Sequence, residues 1–143
     1  MADSFHSICW LYASIRNLGS GTFPSEFETY CLDCLKSRVS EPDLELYLLA
    51  YFLHPKYRGK GIKTGYLKKL LEKAGNIGKG MRFTQNQCIA LIAQMQKYKR
   101  NHDDYNIVYN EQIEPALWWG SVEDRLGNQL QSIAIRLLKL VPS

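Results

Sequence analysis

The cysteines at positions 31 and 34 are separated by two residues, which is a spacing found in zinc sites and in redox-active cysteine pairs. A zinc site needs two further ligands close in sequence. The remaining cysteines, Cys9 and Cys88, are remote, and the three histidines are scattered. A thioredoxin-type pair needs a strand before it, whereas Cys31 and Cys34 fit the apolar stripe of one predicted helix. We therefore interpret them as core thiols and predict no metal site, an interpretation that elemental analysis of the purified protein can test.

Other groups with catalytic potential are isolated in the sequence. His54 precedes Pro55 at a predicted helix end, where the helix dipole favours a protonated imidazole. A catalytic role would need an adjacent nucleophile, and nothing in the sequence nominates one, so we interpret His54 as part of a helix stop. Acidic pairs at 103–104 and 123–124 could hold Mg²⁺ only with further carboxylates. Residues 59–65 lack the glycine spacing and the preceding strand of a phosphate loop. We predict no enzymatic activity and no cofactor.

Positive charge is concentrated in the middle of the chain. The segment from Lys56 to Arg82 holds nine basic residues and one acid, Glu72, so it carries +8 while the rest carries −4 of the net +4. This basic segment has two interpretations: it forms a face that binds nucleic-acid phosphate, or it forms a solvated helix face beside a glycine-rich turn. The predicted nucleic-acid contacts are Lys56, Arg58, Lys60, Lys63, Lys68 and Lys69.

A large apolar group lies in the last third of the chain. Trp118 and Trp119 are adjacent, and an Ala- and Leu-rich helix follows them. Each buried Trp removes roughly 150–250 Å² from water, so either the rest of this chain or a second protein must cover the pair. We predict that they form a docking surface for another protein. The predicted docking residues are Trp118, Trp119, Leu130, Ile133, Ala134, Leu137 and Leu138.

Helical periodicity runs through most of the sequence and defines the elements that carry these groups. The predicted helix starts are Ser4, Pro24, Ser40, Ile62, Thr84 and about Asp124. The third helix stops near His54, because Pro55 disfavours helical geometry in the residue before it. On the fourth helix Tyr66, Leu70 and Ala74 are expected to point inward, and glycines at 75, 78 and 80 to fray its end.

The remaining segments are expected to be irregular or short. Thr84 followed three residues later by Gln87 is typical of a capping box. The polar segment 100–112 is predicted to be a loop, with 106–109 as a weak strand candidate. Pro115 is expected to start a short turn that carries the two Trp residues.

The composition of the chain is typical of soluble globular proteins. Its 143 residues fit one domain, and 45% hydrophobic with 22% charged residues is typical of a soluble protein. No apolar run approaches the roughly 20 residues that cross a bilayer, and the first residues do not form a secretory signal. We therefore expect an intracellular, all-α protein, an irregular bundle of about six helices, without membrane or small-molecule partners.

Three motifs together resemble a known family. Residues 49–58, the Trp pair at 118–119 and residues 133–143 are similar, in order and rough spacing, to the C-terminal part of hAT-superfamily transposases and their domesticated ribonuclease H-like relatives. In that family a helix ends in a Phe-Leu-(Asp or His)-Pro segment, and a Trp-containing segment and an Ala/Leu helix follow. The similarity covers residues 44–143, and residues 1–43 match only in being helical.

The resemblance implies a fragment of a ribonuclease H-like transposase architecture. Residues 1–100 would correspond to the helical insertion-domain region, and 101–143 to part of the C-terminal dimerisation region. The family acts on DNA in the nucleus and uses three carboxylates that hold two divalent metals. Two of these carboxylates would precede Met1 and the third would follow Ser143, so no catalytic residue carries over to this chain.

The resulting hypothesis is a non-catalytic remnant that acts through dimerisation and through nucleic-acid contact in the nucleus. Its expected partners are a second copy or a full-length hAT-like relative, with DNA as a further candidate. One alternative is a basic helical DNA-binding or general protein-interaction module. Another is part of a DDE-type strand-transfer enzyme whose catalytic residues are supplied in trans.

Overall fold

The structure, a computed structural model, describes Thr29, Asp33 and residues 41–122 and 127–139. Across these residues the chain is helical without strands, which confirms the all-α prediction; the ribonuclease H-like relationship stays a prediction. The helices are α1 (Glu41–Leu53), α2 (Thr64–Gly80), α3 (Gln85–Lys99), α4 (Pro115–Gly120) and α5 (Gln129–Lys139), with a 3₁₀ turn at Asp103–Tyr105. The helices predicted from Ser4 and Pro24, and the pair Cys31 and Cys34, fall outside the described residues, apart from helical Thr29 and Asp33. None of the described helices is long and apolar enough to cross a membrane.

The core is a single apolar cluster to which all five helices contribute. The end of α1 contributes four buried residues, Leu49, Ala50, Phe52 and Leu53, as its apolar run predicts, while Tyr51 is half-buried. α1 ends at Leu53, directly before His54 and Pro55, as predicted. The cluster includes residues from both sides of the boundary predicted at residue 100, and that boundary stays a prediction.

α2 continues through its glycines, so the expectation that they fray the helix is wrong. Gly78 is buried beneath Phe83, whose Cδ2 would lie 2.8 Å from a Cβ at that position. The absence of a side chain at Gly78 lets the loop after α2 fold back against the helix. Only four residues separate α2 from α3, so the two helices form an antiparallel pair.

The ends of α3 and α5 show how well local signals position a helix. The Thr84 hydroxyl accepts from the Gln87 backbone N–H, and the Thr84 N–H donates to the Gln87 side chain, so the capping box is confirmed. α5 begins at Gln129 rather than near 124, because Gly127 has φ +78° and Asn128 caps the helix by accepting from the Gln131 N–H at 3.0 Å. The weak strand candidate at 106–109 is irregular.

Candidate nucleic-acid interface

The turn between α1 and α2 holds four of the predicted contacts, Lys56, Arg58, Lys60 and Lys63. The His54 carbonyl accepts from the N–H groups of Tyr57 and Arg58 at 3.0 and 2.9 Å. The Tyr51 hydroxyl donates to the Lys60 carbonyl at 3.0 Å. These bonds fix the backbone of the turn while the side chains of Lys60 and Lys63 remain exposed.

Gly59 is the residue that allows this turn to close. Its φ is +69°, and a Cβ there would lie 2.8 Å from Cδ2 of the buried Phe52. A side chain at Gly59 would therefore meet both backbone strain and a collision with the core. The basic turn is thus seated directly on the last turn of α1.

α2 presents the next two lysines. Leu70, Ala74 and Gly78 are buried on the side that faces the core, whereas Lys68 and Lys69 are exposed. We call the four exposed side chains of Lys60, Lys63, Lys68 and Lys69 the lysine face.

Within the described part of the chain no salt bridge involves the lysine face, although the exposed Glu72 follows Lys68 and Lys69 by four and three positions on α2. The ion pairs there join Lys56 to Glu111 at 2.9 Å, Lys73 to Glu45 at 3.9 Å, and Lys97 to Asp103 at 2.9 Å. Their partners are partly or largely exposed, so each pair contributes little to stability. The positive potential of the lysine face is therefore not offset by a salt bridge in the residues that the structure describes.

The start of α2 adds to this positive potential. The N-cap position is Lys63, which makes no side-chain capping bond, and the first turn contains no acidic residue. Helix N-termini carry a partial positive charge and favour Asp, Ser or Thr at the N-cap. A lysine at this position is unfavourable for the helix alone, and a bound anion would relieve the repulsion.

Arg58, the second predicted nucleic-acid contact, differs from the lysines because its guanidinium points into the protein; its contact with nucleic acid stays a prediction. It donates to the carbonyls of Tyr98 at 3.1 Å, Tyr105 at 2.9 Å and Ile107 at 3.5 Å. Its Cζ lies 4.8 Å from the ring centroid of Tyr98 and 4.9 Å from that of Trp118. Burial lowers the pKa of the Arg58 guanidinium, and the nearby Tyr98 opposes that shift. Arg58 therefore joins the turn to the end of α3 and the loop after it.

Lys56 is exposed, as predicted, but it differs from the lysine face. Its ammonium pairs with Glu111 and also lies 5.6 Å from the centroid of the Tyr57 ring. Its charge is therefore partly offset.

The prediction of a docking surface at the Trp pair is wrong. Trp118 and Trp119 are 2% and 0% exposed. The Trp119 indole N–H donates to the Leu53 carbonyl at 2.8 Å, so it satisfies a carbonyl at the end of α1. The predicted docking residues that are buried in the core of this chain are Trp118, Trp119, Leu130, Ile133, Ala134 and Leu137, while Leu138 is half-buried. The chain's own helices cover the six buried residues, so those six are not available to a partner.

His54 and Asp103, two of the groups considered for catalysis, form contacts within the fold. His54 is buried, its Nδ1 accepts from the Lys56 N–H at 3.2 Å, and its ring contacts Tyr57 and Tyr109. A hydrogen bond and the charge of Lys97 lower the pKa of the Asp103 carboxyl. Within the described segments no group of three or more His, Cys, Asp or Glu side chains is arranged to hold a metal ion.

Sequence reasoning missed one residue of this surface, Tyr66. It was expected to point inward, but it is 49% exposed, and the Lys69 ammonium lies 5.6 Å from its ring centroid. Its spacing of three residues from both Lys63 and Lys69 was the available signal, because residues three apart lie on the same side of a helix.

Comparison of the chain with models of known protein families, with curated proteins and with solved structures finds no match.

Proposed function

We propose that this protein binds nucleic acid through its lysine face, where Lys60, Lys63, Lys68 and Lys69 contact backbone phosphates. The observation that carries the proposal is that four exposed lysines, none of them in a salt bridge among the described residues, lie in the turn before α2 and in its first two turns, near the positive end of the helix. Exposed Lys side chains supply most of the affinity for the phosphate backbone by releasing condensed counterions. The proposed role is binding rather than catalysis.

The identity of residue 63 supports this proposal. Its φ of −67° and ψ of +148° are those of an N-cap residue, so Asp or Ser would fit and would stabilise α2. Lysine instead adds charge of the wrong sign for the helix dipole. Local choices that oppose the stability of the fold are expected at functional positions.

A salt titration with designed variants tests the proposal. Binding of a labelled 20-base-pair duplex, followed by fluorescence anisotropy, is expected to weaken with salt with a log–log slope of about −3.6 for four phosphate contacts. Lys63→Asp is expected to reduce the slope to about −2.7, because one contact is lost. The same variant is expected to raise the free energy of unfolding by about 0.5–2 kcal/mol, because aspartate caps α2.

Lys79→Asp is the matched control, because it makes the same charge change at the other end of α2, where Lys79 is exposed. It is expected to leave the salt slope within error of the unmodified protein. It should also lower the free energy of unfolding by about 0.3–1 kcal/mol, since an acid is unfavourable at a helix C-terminus. Equal effects of the two variants on binding, or binding that does not depend on salt, would refute the proposal.

The proposal is compatible with the hAT-like hypothesis, in which the parent proteins bind DNA in the nucleus. The remnant identity, nuclear localisation and self-association through the C-terminal region stay predictions. Any self-association must use residues other than the buried Trp118 and Trp119. Light scattering over a concentration series measures it directly.

A further inference from the structure

The exposed ring of Tyr66 lies within the lysine face, between Lys63 and Lys69. From this arrangement we infer that the lysine face binds single-stranded nucleic acid, with Tyr66 as the platform on which one unpaired base stacks. The inference rests on the proposed function, and it adds the class of nucleic acid and the residue that distinguishes it.

Tyr66 differs from the other described aromatic side chains in its exposure to solvent. Of the Phe, Tyr and Trp side chains in the described residues, Tyr66 is the one that is exposed, at 49%. It is also absent from the half-buried side chains packed against the core cluster. The fold therefore does not require an aromatic ring at this position.

Lys63 and Lys69 flank Tyr66 on α2. Each is three residues from Tyr66, so each is its neighbour on the helix surface, about 60° from it around the helix axis. Lys63 and Lys69 are about 9 Å apart along the helix axis, at about 1.5 Å per residue. A base stacked on Tyr66 would therefore have an ammonium group available for the phosphate on each side.

The contact between Lys69 and Tyr66 is compatible with this use. The Lys69 ammonium is 5.6 Å from the ring centroid, and its side chain is exposed. A lysine ammonium sits on a flexible stem, so it can move from the ring to a phosphate without rearrangement of the helix. The Lys69 ammonium therefore contacts the Tyr66 ring in the free protein and would contact a backbone phosphate in the complex.

The chemistry of stacking selects single strands over duplexes. In a duplex both faces of each base are covered by neighbouring bases, so an exposed ring on a helix surface cannot reach them. In a single strand the base face is accessible, and stacking on an aromatic side chain is tolerant of sequence because every base has a π-face. The expected ligand is a single-stranded segment with little sequence preference.

The experiment compares a labelled 20-nucleotide oligothymidylate with a labelled 20-base-pair duplex, using the full chain. Tyr66→Ala is expected to weaken binding of the single strand by about 5- to 150-fold, the effect of one lost base stack. Its affinity for the duplex and its salt slope are expected to be unchanged. Tyr66→Phe, which retains the ring, should bind the single strand within about twofold of the unmodified protein.

Ile92→Ala is the matched control, because Ile92 is an apolar side chain of similar exposure, 43%, on α3. It is expected to change neither affinity. Since Tyr66 and Ile92 are both exposed, thermal denaturation by circular dichroism should give nearly the same midpoint for each variant.

The possible outcomes separate this inference from the proposed function. Loss of single-strand binding in Tyr66→Ala, with duplex binding and the Phe variant intact, supports the inference. No effect of Tyr66→Ala while Lys63→Asp still lowers the salt slope overturns the stacking role and leaves the proposed function standing. Equal weakening on both ligands also overturns it. If no variant of the lysine face affects binding of either ligand, the proposed function fails and the inference fails with it.

Discussion

Arg58→Ala is expected to lower the free energy of unfolding by about 3 kcal/mol and to leave nucleic-acid binding unchanged. Arg58 lies in the most basic segment of the chain, yet its guanidinium is engaged by the protein itself. Measuring both stability and binding in this variant therefore distinguishes a basic residue that stabilises the fold from one that binds a ligand.

The magnitude follows from the contacts of the guanidinium. Two of its hydrogen bonds, to the carbonyls of Tyr98 at 3.1 Å and Tyr105 at 2.9 Å, are of ordinary length. A hydrogen bond from a charged donor contributes about 1.5–3 kcal/mol, and we take the lower value because Arg58 is only half-buried. The third bond, 3.5 Å long, and the stacking on the Tyr98 and Trp118 rings add less. Backbone strain at Arg58, where φ is +46°, is the same with Ala, so it does not enter the difference.

Urea denaturation followed by tryptophan fluorescence and by circular dichroism measures this change. With an m-value of about 1–3 kcal/mol per molar urea, a loss of about 3 kcal/mol lowers the midpoint by about 1–3 M. Arg58→Lys is expected to recover less than half of the loss, because an ammonium group cannot match a planar fork that donates to two carbonyls while stacking on two rings. Lys60→Ala is the control and should stay within about 0.5 kcal/mol of the unmodified protein.

The reasoning is refuted if Arg58→Ala unfolds within about 0.5 kcal/mol of the unmodified protein at an unchanged m-value. It is also refuted if Arg58→Lys, which keeps the charge, restores full stability. Reduced nucleic-acid affinity in a folded Arg58→Lys variant would contradict the inward assignment of the guanidinium.

The contacts of Trp119, Gln94 and the phenols of Tyr98 and Tyr105 are each expected to contribute measurably to stability. Trp119→Ala should lower the free energy of unfolding by about 3–5 kcal/mol in urea denaturation, since it removes a buried indole; an altered oligomeric state at unchanged stability would instead support the original docking hypothesis. Gln94→Ala should cost about 1–2 kcal/mol in the same assay, because the Gln94 carbonyl oxygen accepts from the Leu130 N–H at 2.9 Å at the start of α5. Burial raises the pKa of Tyr98 and raises the pKa of Tyr105 to about 12. Both phenols therefore stay protonated in the folded state at pH values where the same phenols ionise in the unfolded chain. The stability that they contribute is fully present below the unfolded pKa of about 10 and is lost as the pH rises through the folded pKa values. Urea midpoints should therefore change little from pH 8 to 9 and fall from pH 10 to 11, and fall less steeply in Tyr105→Phe.

Local signals in the sequence were sufficient for part of the fold. The capping box at Thr84 and the helix stop before Pro55 depend on residues within four positions of one another, and both are confirmed. The start of α5 was predicted about five residues too early, because Glu and Asp at 123–124 were taken as the first turn. The Gly127–Asn128 pair, where glycine permits positive φ and asparagine caps, was the better signal.

The surroundings of Arg58 and of the Trp pair could not be predicted because they depend on contacts between residues far apart in the chain. Arg58 reaches carbonyls 40 to 49 positions away, and no local pattern distinguishes it from an exposed arginine. Apolar composition predicted correctly that Trp118 and Trp119 must be covered, but it could not say by what. Tyr66 lies one turn before Leu70, so the helical period predicted both to be buried, whereas Leu70 is buried and Tyr66 is 49% exposed.

The hydrogen bond between the Trp119 indole and the Leu53 carbonyl joins positions 66 residues apart. During synthesis, α1 is therefore made well before the indole that bonds to its last carbonyl. At about 5–20 residues per second, α1 leaves the ribosome about 3–13 s before the indole that closes its end. During that interval the apolar last turn of α1 has no native cover from α4 and α5. The nascent chain is therefore expected to bind chaperones that hold apolar segments. A brief pulse of labelled synthesis should recover such complexes from chains that stop before residue 119, and far fewer from chains that extend through α5.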